Sequence, residues 1–158
     1  MTGELKKQFG LRIAQANKTE LIVILYDMIL AYVEEGKEAH KNADRAGFRE
    51  AVRKIRGCSQ ELIASLNFDY EPAGNLLSLY LYINRELVHA DIHNDVTCLD
   101  VVSRIVKELR EAYAVLAEKD DSLPVMENTQ TVYVGLTYGR DNLNENLAGD
   151  EENRGFFA

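Results

Sequence analysis

From residue 17 to residue 118, apolar side chains recur every three or four positions in four long stretches, and no alternating apolar–polar run competes with them. That period is helical, so each stretch buries one face of an α-helix rather than one face of a strand. The first stretch opens at Asn17-Lys18-Thr19-Glu20 and runs to about Asp44, with Gly47 in the turn that follows. Asn17 can accept from the backbone three residues on while Glu20 returns a bond to the cap, a reciprocal capping box. The second stretch carries Phe48, Val52, Ile55, Ser59, Leu62 and Leu66 on one face. Residues 67–74, which include Pro72, interrupt it, because proline has no N–H to donate and disfavours helical backbone before it. The third face is Leu76, Tyr80, Ile83, Leu87 and Ala90, ending around Asp91–Asn94. The fourth is Leu99, Val102, Val106, Leu109, Tyr113 and Leu116.

Four such helices joined by short links fold most simply as an antiparallel bundle. The predicted class is therefore all-α: an antiparallel four-helix bundle over residues 1–118, with a short N-terminal helix contributed by Leu5, Phe9, Leu11 and Ile13. Residues 119–158 read as a largely irregular, flexible acidic tail, with three Lys/Arg against eight Asp/Glu in a chain of net charge −8. Its one apolar patch, Val132, Tyr133, Val134, Leu136 and Tyr138, is expected to reach back to the bundle. The acidity repels phosphate, which excludes nucleic acid as a partner. The most apolar run, residues 21–30, is broken by Asp27 and is shorter than the ~20 residues that cross a bilayer. With no signal-like segment either, a cytoplasmic protein without membrane insertion is expected. Cys58 and Cys98 stand apart, without the paired spacing of a disulfide framework or zinc site.

Two of the four helices carry more apolar surface than a bundle can hide. The first has Leu21, Ile22, Val23, Ile24 and Leu25 in succession, which covers every direction around a turn. One stripe is Leu21, Leu25, Met28 and Tyr32, another is Ile22, Tyr26, Ile29 and Val33, and Val23 and Leu30 lie off both. The third helix offers Leu79 with Tyr82, and also Leu77, Leu81 and Val88, beyond its core face. Either the chain's own ends fold over these faces, or they form a groove for a partner's amphipathic helix. The two readings are compatible if the N-terminal segment covers the groove until a partner displaces it.

The stretch Asn17-Lys18-Thr19-Glu20-Leu21-Ile22-Val23-Ile24-Leu25-Tyr26-Asp27 resembles the start of the first helix in the flagellin-specific export chaperones, the FliS family. Their motif there is roughly Ser-Pro-x-Glu-Leu, a few apolar residues, then Leu-Tyr-Asp-Gly. Leu76-Leu77-Ser78-Leu79-Tyr80-Leu81-Tyr82-Ile83 is similar to that family's third helix, and Asp95, Leu99 and Leu109-Arg110-Glu111-Ala112-Tyr113 fit its fourth. Asn17 stands where a capping Ser is usual, Lys18 for Pro, Met28 for Gly, and Tyr113 for Trp. The resemblance covers about Leu11 to Leu116. It implies a chaperone rather than an enzyme, one that binds the C-terminal segment of flagellin, prevents premature polymerisation and delivers it to a component of the flagellar export gate. Partner-binding residues are then expected at Ile22, Val23, Tyr26, Leu30, Leu79 and Tyr82, with Asp27 and Asn84 supplying polar register contacts. The plain alternative for each is core packing. A homodimer of the client-free protein through the same face is compatible with this reading.

Two rivals share the same residues. A helical adaptor with another client has the same surplus of apolar surface. A metal-binding bundle enzyme is suggested by Glu86-Leu87-Val88-His89, the Glu-x-x-His of di-iron bundles, with His93 one turn on and Asp91 or Asp95 nearby. A di-iron centre needs a second such motif, however, and His40, the remaining histidine, has Lys37 three residues before it. No catalytic residue, cofactor or metal ligand is therefore assigned.

Overall fold

A computed structural model describes residues 1–126. Five helices follow one another: α1 (Gly3–Gln15), α2 (Lys18–Lys41), α3 (Arg45–Ala64), α4 (Ala73–His93) and α5 (Thr97–Glu118), with no strand among the described residues. The apolar patch expected at Val132–Tyr138 lies outside them.

The helix ends follow from local chemistry. The Asn17 side chain accepts from Glu20 N, and the Glu20 side chain accepts from Asn17 N, so the expected capping box starts α2. The expected boundary at the other end is corrected. Helix α2 stops at Lys41, Ala43 turns the chain with φ 56°, and Asp44 caps α3 through a bond from Gly47 N. Gly47 thus belongs to the first turn of α3, not to the connecting turn. A Cβ there would stand 2.2 Å from Asp44 Oδ2, so a side chain would push the capping carboxylate away. Pro72 precedes the first turn of α4, where its missing N–H deprives no carbonyl of a partner. Asn94, left-handed at φ 53°, ends that helix.

Helix α2 packs on α3 and α5, and α4 packs on the same two, which places α2 and α4 on one diagonal of the bundle. The single apolar faces read from the sequence meet around that diagonal: Phe48, Val52, Ile55 and Leu62 from α3, Leu76, Tyr80, Ile83 and Leu87 from α4, and Leu99, Val102 and Val106 from α5 are all buried. Gly36 lets α2 approach its neighbours closely, since a Cβ there would lie 3.0 Å from Leu99 and 3.3 Å from Ala51. Helix α1 leans on α2 alone among the substantial helix contacts.

One polar pair spans the diagonal. The hydroxyls of Tyr26 on α2 and Tyr80 on α4 lie 2.5 Å apart in the interior, and the Tyr113 ring meets Tyr26 edge-on at 5.7 Å. Burial pushes the Tyr80 phenol up to about 12, so both hydroxyls stay neutral and one donates to the other. Removing one partner strands a buried hydroxyl, whereas removing both leaves an apolar contact. Tyr80→Phe should therefore destabilise by about 1–3 kcal/mol in urea unfolding, and the Tyr26→Phe/Tyr80→Phe double variant should recover most of that loss. Strictly additive losses would show that the two hydroxyls do not depend on each other.

Candidate partner-binding cleft

The surplus apolar surface of α2 is divided three ways. Tyr26, Ile29 and Val33 enter the main core. On a second side, Ile24 packs with Phe9 and Ala16, and Leu5, Ile13, Leu21, Met28 and Ala31 pack around them, so α1 covers that stripe. The third side faces an open cleft of about 1050 Å³ at the end of the bundle where α2 begins.

Apolar groups converge on this cleft from α1, α2, α4 and α5 and from the α3–α4 connection. Leu21, Ile22, Leu25 and Met28 come from α2, Leu66 from the residues after α3, Leu76 and Tyr80 from α4, and Tyr113 and Leu116 from α5. Ile13 of α1 and Val125 beyond α5 also line it. The segment after α5 is strapped across the α1–α2 junction. Val125 N donates to Ala16 O at 3.0 Å, Asn17 Nδ2 donates to Asp120 O at 3.0 Å, and the Thr19 hydroxyl donates to Asp120 Oδ2 at 2.5 Å. The first residues of the expected tail therefore lie against the bundle. A second apolar surface runs along the outside of α4, where Leu81, Val88 and Ile92 are exposed. Phe68 and Tyr70, 65% and 59% exposed, stand in the α3–α4 connection beside the cleft. Exposed aromatics of this kind are the usual anchors of protein interfaces.

Few polar groups hold α1 in place. Arg12 of α1 donates to Asp27 Oδ2 at 2.7 Å, and Arg110 of α5 donates to Asp27 Oδ1, so one carboxylate ties α1 and α5 to α2. The Met1 amino group donates to Glu35 at 2.6 Å, and Lys54 of α3 reaches the same carboxylate at 3.3 Å. Burial acts to raise the Glu35 carboxyl, but these two hydrogen bonds outweigh it and hold the group below its ordinary value. Phe9 is the one fully buried side chain of α1. Its burial contributes about 1.5–3 kcal/mol, and an exposed ion pair such as Arg12–Asp27 about 0.2–1 kcal/mol. Against the interior shared by α2–α5, that is a light attachment.

The residues expected to bind a partner are not gathered in one place. Ile22 lines the cleft. Val23 is buried and faces a smaller hollow between α1, α2 and α5, and Leu30 packs partly buried on the core. Tyr26 is wholly interior and meets the cleft only through Tyr80 and Tyr113, which line it. Asp27 is engaged by its two arginines. Leu79 is partly exposed on α4, Tyr82 is half-buried with Arg85 over its ring, and the buried Asn84 Oδ1 has no partner among the described residues. Sequence reasoning passed over Leu21, Leu25, Met28, Leu66 and Tyr113 as lining residues. The first three belong to one stripe of α2, whereas Leu66 and Tyr113 read as core and reach the cleft from the end of the bundle where α3 and α5 finish.

A family model described as the flagellar protein FliS matches residues 2–120. The chain is also similar to the flagellar secretion chaperone FliS of Bacillus subtilis strain 168, at 32% identity over 108 residues that make up 67% of this chain and 81% of the relative. The match takes in α1 to α5 and therefore the whole described cleft.

The light attachment of α1 gives two measurable outcomes. Arg12→Ala removes an anchor on α1 itself, so amide exchange in α1 should speed up by as much as roughly five-fold while the slowest amides of α2–α5 keep their rates. An unchanged α1 would show that Arg12 contributes nothing. The lowered Glu35 carboxyl stabilises the fold fully above the ordinary glutamate range, and that contribution disappears as pH falls through its depressed value. Glu35→Gln should consequently lower the melting temperature at neutral pH and flatten the acid limb of the stability curve; an acid limb identical to wild type would contradict the assignment.

Proposed function

The chain belongs to the FliS family, and from that premise we propose that it is a flagellar export chaperone whose cleft receives the C-terminal segment of flagellin as amphipathic helix. Binding there hides the segment through which flagellin subunits associate, prevents polymerisation before export, and leaves a complex for delivery to a component of the export gate. The family is one of chaperones, and no catalytic constellation is needed for this work.

The single observation that supports this reading is the apolar cleft beside α2, walled by residues from every helix and only partly covered by the chain's own ends. A disordered client that folds on binding buries roughly 1,000–3,000 Å² and spends about 2–5 kcal/mol on its ordering. Such an area far exceeds what α1 buries through Phe9, so the client can displace α1 and occupy the Ile24 and Met28 side of α2 as well. The exposed stripe of α4, with Leu79 and Tyr82 on its flank, offers a second helix of the same client a place to lie. In the client-free protein these same faces would meet a second copy of the chain, giving a homodimer that client binding dissolves.

Calorimetry with the host flagellin and with a version lacking its C-terminal segment tests the proposal. Binding to the full flagellin, and none to the truncated form, is expected; equal binding to both overturns it. Leu25→Glu places a charge in the cleft on a half-buried position, and should weaken flagellin binding at least ~10-fold with helix content preserved. Unaltered affinity would move the binding site elsewhere.

A further inference from the structure

At the corner between α4 and α5, remote from the cleft lining, three metal-ligating side chains converge, and a fourth, Glu86, faces one of them. His89 Nδ1 lies 3.3 Å from Cys98 Sγ. One ligand atom each from His89, Asp95 and Cys98 falls within 4.8 Å of the others. The Cys98 thiol also faces the Glu86 carboxylate, one turn before His89 on α4. The sequence had suggested His89 with His93 and Asp91 or Asp95. The fold instead commits Asp91 to Arg49 at 2.9 Å and brings in Cys98, which spacing alone had set aside.

We infer that His89, Asp95 and Cys98, with Glu86 as the fourth donor, form a zinc-binding site that staples the end of α4 to the start of α5. Zinc bonds of ~2.3 Å to sulfur and ~2.0–2.2 Å to nitrogen and oxygen put tetrahedral ligands about 3.3–3.7 Å apart. The His89–Cys98 pair already has that separation, and the distances to Asp95, no more than 4.8 Å, need only a modest closure, while Glu86 must swing in to complete the set. Thiolate with imidazole selects zinc over the hard cations that prefer oxygen alone. The supporting shell is present. Asp95 Oδ1 accepts from Thr97 N at 2.9 Å and from the Thr97 hydroxyl at 2.7 Å, which fixes the carboxylate, and the His93 ring lies tilted against His89 with centroids 4.3 Å apart. Burial first, and then the charges of Asp95 and Glu86, push the Cys98 thiol up to about 11. A thiol between two carboxylates is a poor nucleophile, but a divalent cation reverses the local electrostatics and displaces its proton to solvent.

The test titrates cobalt(II), and then zinc(II), into the full chain after chelator treatment. One equivalent of cobalt should give tetrahedral d–d absorption and a thiolate-to-metal charge-transfer band, both removed by zinc, and zinc should raise the melting temperature. His89→Gln, at an exposed position that leaves the fold intact, and Cys98→Ser should each abolish the charge-transfer band. Each should weaken zinc binding by more than the ~10–100-fold that loss of a supporting partner costs. Cys58→Ser, on α3, should change nothing. Absence of the band, persistence of zinc binding in both ligand variants, or sensitivity to His93→Gln with indifference to Cys98→Ser would overturn the site, the last by reassigning it to an adventitious pair of surface histidines.

Discussion

A helix that is apolar on every side cannot be satisfied by a four-helix bundle alone, and the rest of this structure depends on how α2 resolves that problem. Its position on the bundle diagonal takes up Tyr26, Ile29 and Val33. Helix α1 takes up Ile24 and its neighbours. Ile22 and Leu25, with the edges of Leu21 and Met28, are left facing a cleft that no described segment fills. Apolar area kept in contact with water works against folding, and its retention beside a loosely held helix is what a binding surface requires.

The polar groups divide along the same line. Inside, the Tyr26–Tyr80 hydroxyl pair specifies how α2 and α4 meet, and each hydroxyl is expensive to strand. Outside, Asp27 and Glu35 hold α1 and the N-terminus by partly exposed ion pairs that are worth little individually. A rigid cleft floor with a removable neighbour follows from this difference in magnitude. On the proposed reading, binding energy from a large apolar client suffices to exchange one covering for another, while the floor formed by Tyr80 and Tyr113 stays fixed.

Most of the bundle was legible in the periodicity. Apart from Leu66, the α3 and α4 stripes are buried as read, and the Asn17–Glu20 capping box is in place. The end of α2 was not legible, because the turn is made by a left-handed Ala43, and Gly47, which reads as a turn residue, instead makes room for the Asp44 cap. The site was legible only in outline. The excess of apolar residues on α2 pointed to a helix that lines the cleft, but a stripe gives no sign of which neighbour covers it. Tyr26 therefore reads equally as core or contact until the diagonal packing is known. Leu66 and Tyr113 are core positions by spacing and cleft positions by their place at the end of the bundle. The His89–Asp95–Cys98 cluster escaped for a related reason: its members are joined by the α4–α5 turn and not by a repeat.

The central claim, that a client replaces α1 over the apolar side of α2, is tested most directly by hydrogen exchange on the complex with the C-terminal segment of flagellin. Amides in residues 21–28 and in the α3–α4 connection should become slower to exchange, while those of α1 become faster as it is released. Slowed exchange confined to other surfaces, with α1 as protected as in the unbound protein, would contradict it.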